Sequence, residues 1–255
     1  MLKSSGSLSI LVAVVLLSFA AGCSSSDEGG EGAAGEAPAA ANNSAGYVEK
    51  PPEYVLKQEF PLGMDLTSAV FNRIRRIPIE YTCSANYYYP ESGLERYGED
   101  RSPPMAWAGA PDSTESFAMV VDDPDAMTLE KGITAPRVHW VIWNIPADVT
   151  ELDEDMATTT ELASLGPQTR QGANDLKTIG WAGPCPPPNI TSIQRGGSSA
   201  ATQKPHGYRF RIFALDTVLD VAGGATKNEL LEALDGHVLA GGELKGEYVN
   251  KRIYK

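Results

Sequence analysis

Four short apolar runs constrain the fold of this chain more than any other feature of its sequence. They are rich in β-branched and aromatic residues, each is bounded by Pro, Gly, Asp or Asn, and they span residues 77–83, 116–122, 138–146 and 208–216. Runs of this length and composition predict β-strands. Because they do not alternate regularly with helices, the sequence predicts a mainly β fold, a β-sandwich with a few peripheral helices.

Side-chain alternation indicates how two of these strands are buried. Residues 208–216 place Arg209 and Arg211 on one face and aromatic or aliphatic side chains on the other, which is typical of a half-buried strand. Residues 138–146 are apolar on both faces apart from His139. We therefore expect this run to form a central strand of the sheet.

One stretch near the C-terminus carries the signals of a helix. Residues 225–237 have Thr226 at the N-cap position, Glu229 three residues later and Gly236 after the last apolar residue. This is the capping-box pattern followed by a glycine stop, and it predicts a C-terminal helix.

The N-terminus has the features of an export signal. Lys3 precedes an apolar segment that is too short to span a membrane and that ends in small residues before Cys23. The stretch FAAGC resembles the lipobox of bacterial lipoproteins, in which the cysteine becomes the lipidated first residue. We predict a signal peptide over residues 1–22 and an exported chain anchored in the cell envelope through Cys23. The alternative is an ordinary cleaved signal with an unmodified Cys23.

Composition changes again after the cysteine. Residues 24–59 are rich in Gly, Ala, Ser and Glu and are almost free of large apolar side chains. Such a segment buries too little surface to fold alone. The sequence therefore predicts a lipid-anchored flexible tether over residues 23–59 and one folded domain over residues 60–255.

The chain has three cysteines, so a lipidated Cys23 leaves Cys83 and Cys185. Two remaining thiols in an exported protein favour a disulfide, and the alternative is two separately buried thiols. Net charge is −12, with 21 basic residues that include no dense Lys/Arg block. A nucleic-acid partner is disfavoured, since phosphate backbones require a positive surface.

Imidazoles and carboxylates stand at the ends of the predicted strands. His139 and His206 each stand at the beginning of a strand, and Asp123 and Asp125 flank Pro124 just after another. Strand ends that meet at one rim of a sandwich could bring these groups into one cavity. On this pattern alone, a hydrogen-bonded core histidine is the more ordinary interpretation.

Several motifs in order carry a family resemblance. DDPDA, HWVIWNIP, GPCPPP and HGYRFRIFALD, within a match over residues 64–248, resemble the phosphatidylethanolamine-binding protein family and its bacterial Raf-kinase-inhibitor-like branch. The resemblance implies a β-sandwich with a small pocket near one edge that binds phosphate-like anions and phospholipid head groups. Two loops, residues 84–101 and 189–204, are longer than is typical of that branch.

The family's pocket residues are carried over position by position. The DPD-type motif supplies an aspartate and a turn, the HRY-type motif a histidine and a tyrosine, and the proline-rich segment over residues 183–188 a wall. The predicted ligand-binding residues are Asp123, Asp125, His139, Pro184, His206 and Tyr208.

The function implied is non-enzymatic binding of a phosphate-like small molecule or a phospholipid head group, with no cofactor and no metal. One alternative is inhibition of an envelope protease or another enzyme, through a protein partner that the sequence does not identify. A second is a metal-dependent hydrolase that uses His139, His206 and Asp123, because two imidazoles and a carboxylate can form a facial metal site.

Overall fold

The computed structural model describes residues 55–84, 98–126, 135–186 and 205–249. The strands within these ranges are β1 (Asp65–Thr67), β2 (Met105–Ala108), β3 (Ser116–Asp123), β4 (Arg137–Pro146), β5 (Glu151–Leu152), β6 (Arg170–Gln171), β7 (His206–Leu215) and β8 (Val238–Tyr248). Helix α1 (Lys227–Leu234) lies between β7 and β8. The predicted signal peptide, Cys23 and residues 24–54 of the predicted tether lie outside the described residues.

The strands form two antiparallel sheets, which confirms the predicted β-sandwich. The larger sheet has the order β6-β4-β3-β7-β8, and the smaller has the order β1-β2-β5. Strands β3 and β4 are central and almost fully buried. No helix in the described part of the chain is long and apolar enough to cross a membrane.

Two apolar clusters cover the two faces of the larger sheet. One lies between the sheets and joins Trp107 of β2 to Trp140 of β4 and Phe210 of β7. The other packs α1 against the opposite face through Leu230 and Leu231. Burying a leucine side chain stabilises a fold by roughly 1.5–3 kcal/mol, so packing holds this short helix in place.

The predicted helix is confirmed together with its cap. The Thr226 side chain accepts a hydrogen bond from the Glu229 N–H, and the Glu229 carboxylate accepts one from the Thr226 N–H. Gly236 follows the helix with a φ of 94°, in the left-handed region that glycine adopts without strain.

The predicted strand over residues 77–83 is wrong. Ile79–Tyr81 form a 3-10 turn, in which the N–H of Tyr81 donates to the Pro78 carbonyl at 3.2 Å. Pro78 has no N–H for a ladder bond, so a proline within an apolar run argues against a sheet strand. The Cys83 N–H instead donates to the carbonyl of Pro184 at 3.2 Å.

The folded chain begins before the predicted boundary at residue 60. The N–H groups of Lys57 and Gln58 donate to Asp235 Oδ1 at 3.1 and 3.0 Å, and Leu56 packs against the α1 cluster. Residues 55–59 therefore lie on the domain, although their composition had assigned them to the tether.

Candidate functional site

His139 is a buried residue of β4 with one nitrogen that lacks a partner. Its Nδ1 donates to the carbonyl oxygen of Ala182 at 2.5 Å, and the side chain is 4% exposed. Its Nε2 is buried and has no hydrogen-bond partner among the described residues. Because a carbonyl only accepts, the proton of the neutral ring lies on Nδ1, and Nε2 becomes a donor only when the ring is protonated.

Burial lowers the pKa of His139. The hydrogen bond to Ala182 and the charge of Asp123 act in the opposite direction, whereas Arg137 adds to the lowering. The ring is therefore neutral near pH 7. An anion that reached Nε2 would favour the protonated form.

Asp123 orients the second predicted histidine. This buried carboxylate belongs to the last residue of β3, and its Oδ1 accepts from the N–H groups of Asp125 at 2.8 Å and Ala126 at 2.9 Å. Its Oδ2 accepts from Nδ1 of His206 at 2.8 Å. The His206 side chain is 21% exposed. This bond fixes the ring orientation and turns Nε2 away from Asp123.

Tyr208 contacts both His139 and Asp123. Its ring packs edge-on against His139 with centroids 5.1 Å apart. Burial, followed by the charge of Asp123 and a hydrogen bond with it, raises the pKa of Tyr208 well above its ordinary value. Its hydroxyl therefore keeps its proton at physiological pH.

Asp125 contacts the backbone next to His206. Its Oδ2 accepts from the N–H of Gly207 at 2.9 Å, which ties the turn after β3 to the start of β7. In the described structure this aspartate shapes the site that Asp123 and His206 form.

The proline-rich segment is fixed to the rest of the site. The predicted Cys83–Cys185 disulfide is present, with Cα atoms 5.4 Å apart. The Gly183 N–H donates to Asp100 Oδ1 at 2.6 Å, and the Cys83 N–H contacts Pro184 as described above. Pro184 is thereby held two residues from the carbonyl that binds His139.

Two residues that the motifs did not identify belong to this region. Trp181 packs 6.5 Å from His139 between ring centroids, and its indole N–H is buried without a partner among the described residues. Asp100 accepts from Gly183, and burial raises its pKa to about 6. Trp181 lies two residues before the start of the proline-rich motif, but its unpartnered N–H could not be predicted from the sequence.

The structure thus brings Asp123, His139, His206 and Tyr208 together, and Pro184 lies two residues after Ala182, whose carbonyl accepts from His139. Within the described ranges, no group of three His, Cys, Asp or Glu side chains is arranged to hold a metal ion. A separate groove of about 340 Å³, lined by Arg209 and Arg211, has none of the predicted site residues in its lining.

The chain is similar in sequence to known proteins over most of its described residues. A family model described as phosphatidylethanolamine-binding protein matches residues 67–249. A UPF0098 protein of Methanothermobacter thermautotrophicus is 39% identical over 185 residues, covering 72% of this chain and 98% of that protein. A UPF0098 protein of Chlamydia muridarum is 33% identical over 187 residues, with 72% and 98% covered.

Two solved structures are also similar to this chain. A phosphatidylethanolamine-binding protein homologue from Chlamydia trachomatis is 31% identical, with a TM-score of 0.55, and the match covers 74% of this chain and 99% of that one. E. coli YbcL, described as a member of the mammalian family, is 28% identical, with a TM-score of 0.58 and the same coverage.

Proposed function

The chain belongs to the phosphatidylethanolamine-binding protein family, and from that premise we propose that its domain is a non-enzymatic binding module for a phosphate-type group. The group is carried either by a small phosphate compound or by a phospholipid head group. We also propose that lipidated Cys23 anchors the exported chain to a membrane of the cell envelope, an assignment that rests on the lipobox-like sequence.

The unpartnered Nε2 of His139 is the observation that carries the binding proposal. Leaving a buried polar atom without a hydrogen bond costs roughly 1–3 kcal/mol. A ligand oxygen that accepts from the protonated ring would recover this cost. The Trp181 indole N–H, a second buried donor without a described partner, favours an acceptor-rich ligand in the same way.

Charge and hydrogen bonding support a phosphate oxygen as that acceptor. The two imidazoles supply donors when protonated, whereas the oxygens of Asp123 already accept from Asp125, Ala126 and His206 and from the Tyr208 hydroxyl. Asp123 then acts as an orienting partner and not as a ligand for the anion. It would also attract the ammonium of a zwitterionic head group.

The same features support binding over catalysis. Tyr208 keeps its proton, because its pKa is raised, and a protonated phenol is a poor nucleophile. The metal-dependent hydrolase has no observation in its favour, because the described residues contain no three-ligand cluster.

Replacing His139 by Ala should weaken ligand binding about tenfold or more, because it removes a donor from a desolvated site. Calorimetric titration measures this with two ligands, inorganic phosphate and glycerophosphoethanolamine. Tighter binding of glycerophosphoethanolamine would identify a lipid head group as the source of the phosphate. Tighter binding of inorganic phosphate would identify a free phosphate compound.

His237→Ala is the matched control, since this exposed histidine pairs with Asp216 at 2.9 Å and lies outside the site. It should leave both affinities unchanged. Unchanged affinities in His139→Ala, or absence of binding of either ligand to the unaltered protein, would contradict the proposal.

A further inference from the structure

The loop between Phe71 and Ile77 carries a concentrated positive charge on an otherwise acidic protein. Its sequence, NRIRR over residues 72–76, has three arginines in four positions, whereas the chain has a net charge of −12. All three arginines are exposed, and Ile74 between them is 97% exposed. An apolar side chain projecting from a basic loop is a feature that the fold itself does not require.

Local hydrogen bonds give this loop a defined shape. The Asn72 side-chain oxygen accepts from the N–H groups of Ile74 at 2.9 Å and Arg75 at 2.8 Å. The Asn72 N–H donates to the Arg75 carbonyl at 3.1 Å. This asparagine turn holds the tip and keeps Ile74 pointed into solvent.

The three arginines are available to an external partner. Within the described ranges, none of Arg73, Arg75 and Arg76 takes part in an ion pair, in contrast to Arg101, Arg170, Arg209 and Arg211. Grouped like charges repel one another, so a surface of opposite charge would stabilise them.

The loop is anchored at the same end of the larger sheet as the candidate site. The Ile77 N–H donates to the Glu247 carbonyl at 2.9 Å, and Gly246 lies against the side chains of Phe71 and Ile77. Gly246 is paired with Tyr208 across β7 and β8. A surface that engages the loop tip would therefore lie near the site.

We propose that residues 72–76, the arginine loop, dock the domain onto a bilayer that contains anionic phospholipid. The guanidinium groups would contact lipid phosphates, and Ile74 would enter the head-group region. A basic patch of three residues on an acidic chain is smaller than the runs of about five to eight that typify nucleic-acid patches. The proposal stands on this exposed patch and does not depend on what the site binds.

Vesicle co-sedimentation tests the proposal with residues 23–255 carrying Cys23→Ser. This form lacks lipid and the predicted signal segment, and it keeps both sheets, both apolar clusters and the disulfide, which all lie within residues 55–249. We expect binding to phosphatidylcholine vesicles containing about 30% phosphatidylglycerol, little binding to phosphatidylcholine alone, and weaker binding at about 0.5 M salt.

Replacing Arg73, Arg75 and Arg76 together by Gln should lower the partition coefficient on the order of 100-fold, since each basic residue contributes about fivefold near an anionic surface. Ile74→Ser should lower it by up to about tenfold. The loop is exposed, so both variants should keep the thermal midpoint of the unaltered protein, which calorimetry checks.

The matched control replaces three exposed lysines, Lys57, Lys177 and Lys245, by Gln and changes net charge equally. It should lower the partition coefficient by less than about threefold. His237→Ala, at an exposed histidine outside both the site and the arginine loop, should leave vesicle binding unchanged. Equal losses in the lysine and arginine variants, equal binding to neutral vesicles, or tighter binding to a short DNA duplex than to anionic vesicles would overturn the proposal.

Discussion

Replacing Asp122 by Asn is expected to lower the free energy of unfolding by about 3–5 kcal/mol. This carboxylate is fully buried next to the site residue Asp123 and accepts from Arg209 Nε at 2.8 Å, Arg211 Nη2 at 2.7 Å and Lys227 Nζ at 2.5 Å. An amide oxygen carries no charge, so the buried Lys227 ammonium in particular would lose the negative charge of Asp122.

Acid should have the same effect on the unaltered protein. Burial alone would raise the pKa of Asp122, but attraction to Arg211 and Lys227 and hydrogen bonds from Arg209 and Lys227 lower it below the ordinary value. A carboxyl whose pKa is lowered by folding contributes stability above its unfolded pKa of about 3.9, and that contribution is lost as the pH falls through the folded pKa.

Urea denaturation at neutral pH measures the effect of the substitution. Asp216→Asn is the control, because Asp216 is an exposed carboxylate. This substitution should change the free energy of unfolding by no more than about 0.5 kcal/mol. Adding Lys227→Met to Asp122→Asn should recover part of the loss, since it removes the buried charge. A loss below about 1 kcal/mol in Asp122→Asn would show that the cluster does not stabilise the fold.

Removing the disulfide with Cys83→Ala and Cys185→Ala should lower the free energy of unfolding by about 2–5 kcal/mol. The bond joins residues 102 positions apart, so it constrains a long segment of the unfolded chain. In the folded protein it holds the proline-rich segment beside the 3-10 turn at Ile79–Tyr81.

Denaturation with and without a reductant gives this measurement an internal control. Reductant should bring the unaltered protein to the stability of the double-alanine variant and leave that variant unchanged. Equal stability of the two proteins under oxidising conditions would mean that the disulfide contributes nothing to the fold.

The elements predicted from the sequence are those whose local residue pattern is enough to indicate a strand or a helix. Strands β3, β4 and β7 are continuous apolar or alternating runs, and α1 begins at a capping box. Both patterns are set by near neighbours in the chain. The family motifs added the candidate site, because they fix which strand ends meet.

Strand β8 was not predicted, because the residues that pack against it are distant in sequence. It contains three glycines, which disfavour a strand locally. A Cβ at Gly242 would lie 2.5 Å from the Met64 carbonyl oxygen, and one at Gly246 would lie 2.8 Å from Ile77 side-chain atoms. The glycines therefore allow the N-terminal part of the domain to pack closely on this strand.

Local sequence patterns also could not predict the hydrogen-bond and ion-pair partners in and around the site. Alternation placed Arg209 and Arg211 on one face of β7, but their bond to Asp122 depends on the register in which Asp122 pairs with Arg209. The contact between Asp100 and Gly183 likewise spans 83 residues. Such pairs follow from strand register and loop closure, which one sequence does not specify.

The affinity for glycerophosphoethanolamine at about pH 5.5 and pH 8 tests the phosphate-binding proposal most directly. A phosphodiester keeps one negative charge over this range, so any pH dependence must come from the protein. Because burial lowers the pKa of His139, the ring is neutral at the higher pH, and binding of an anion should be accompanied by proton uptake.

Calorimetry should therefore give binding roughly tenfold tighter at the lower pH in the unaltered protein, and a smaller difference in His139→Ala. Asp100, whose pKa is raised to about 6, titrates in the same range. Asp100→Asn, which keeps an acceptor for Gly183, should retain the pH dependence. Equal affinity at the two pH values in the unaltered protein, or the same dependence in His139→Ala, would contradict phosphate binding by these imidazoles.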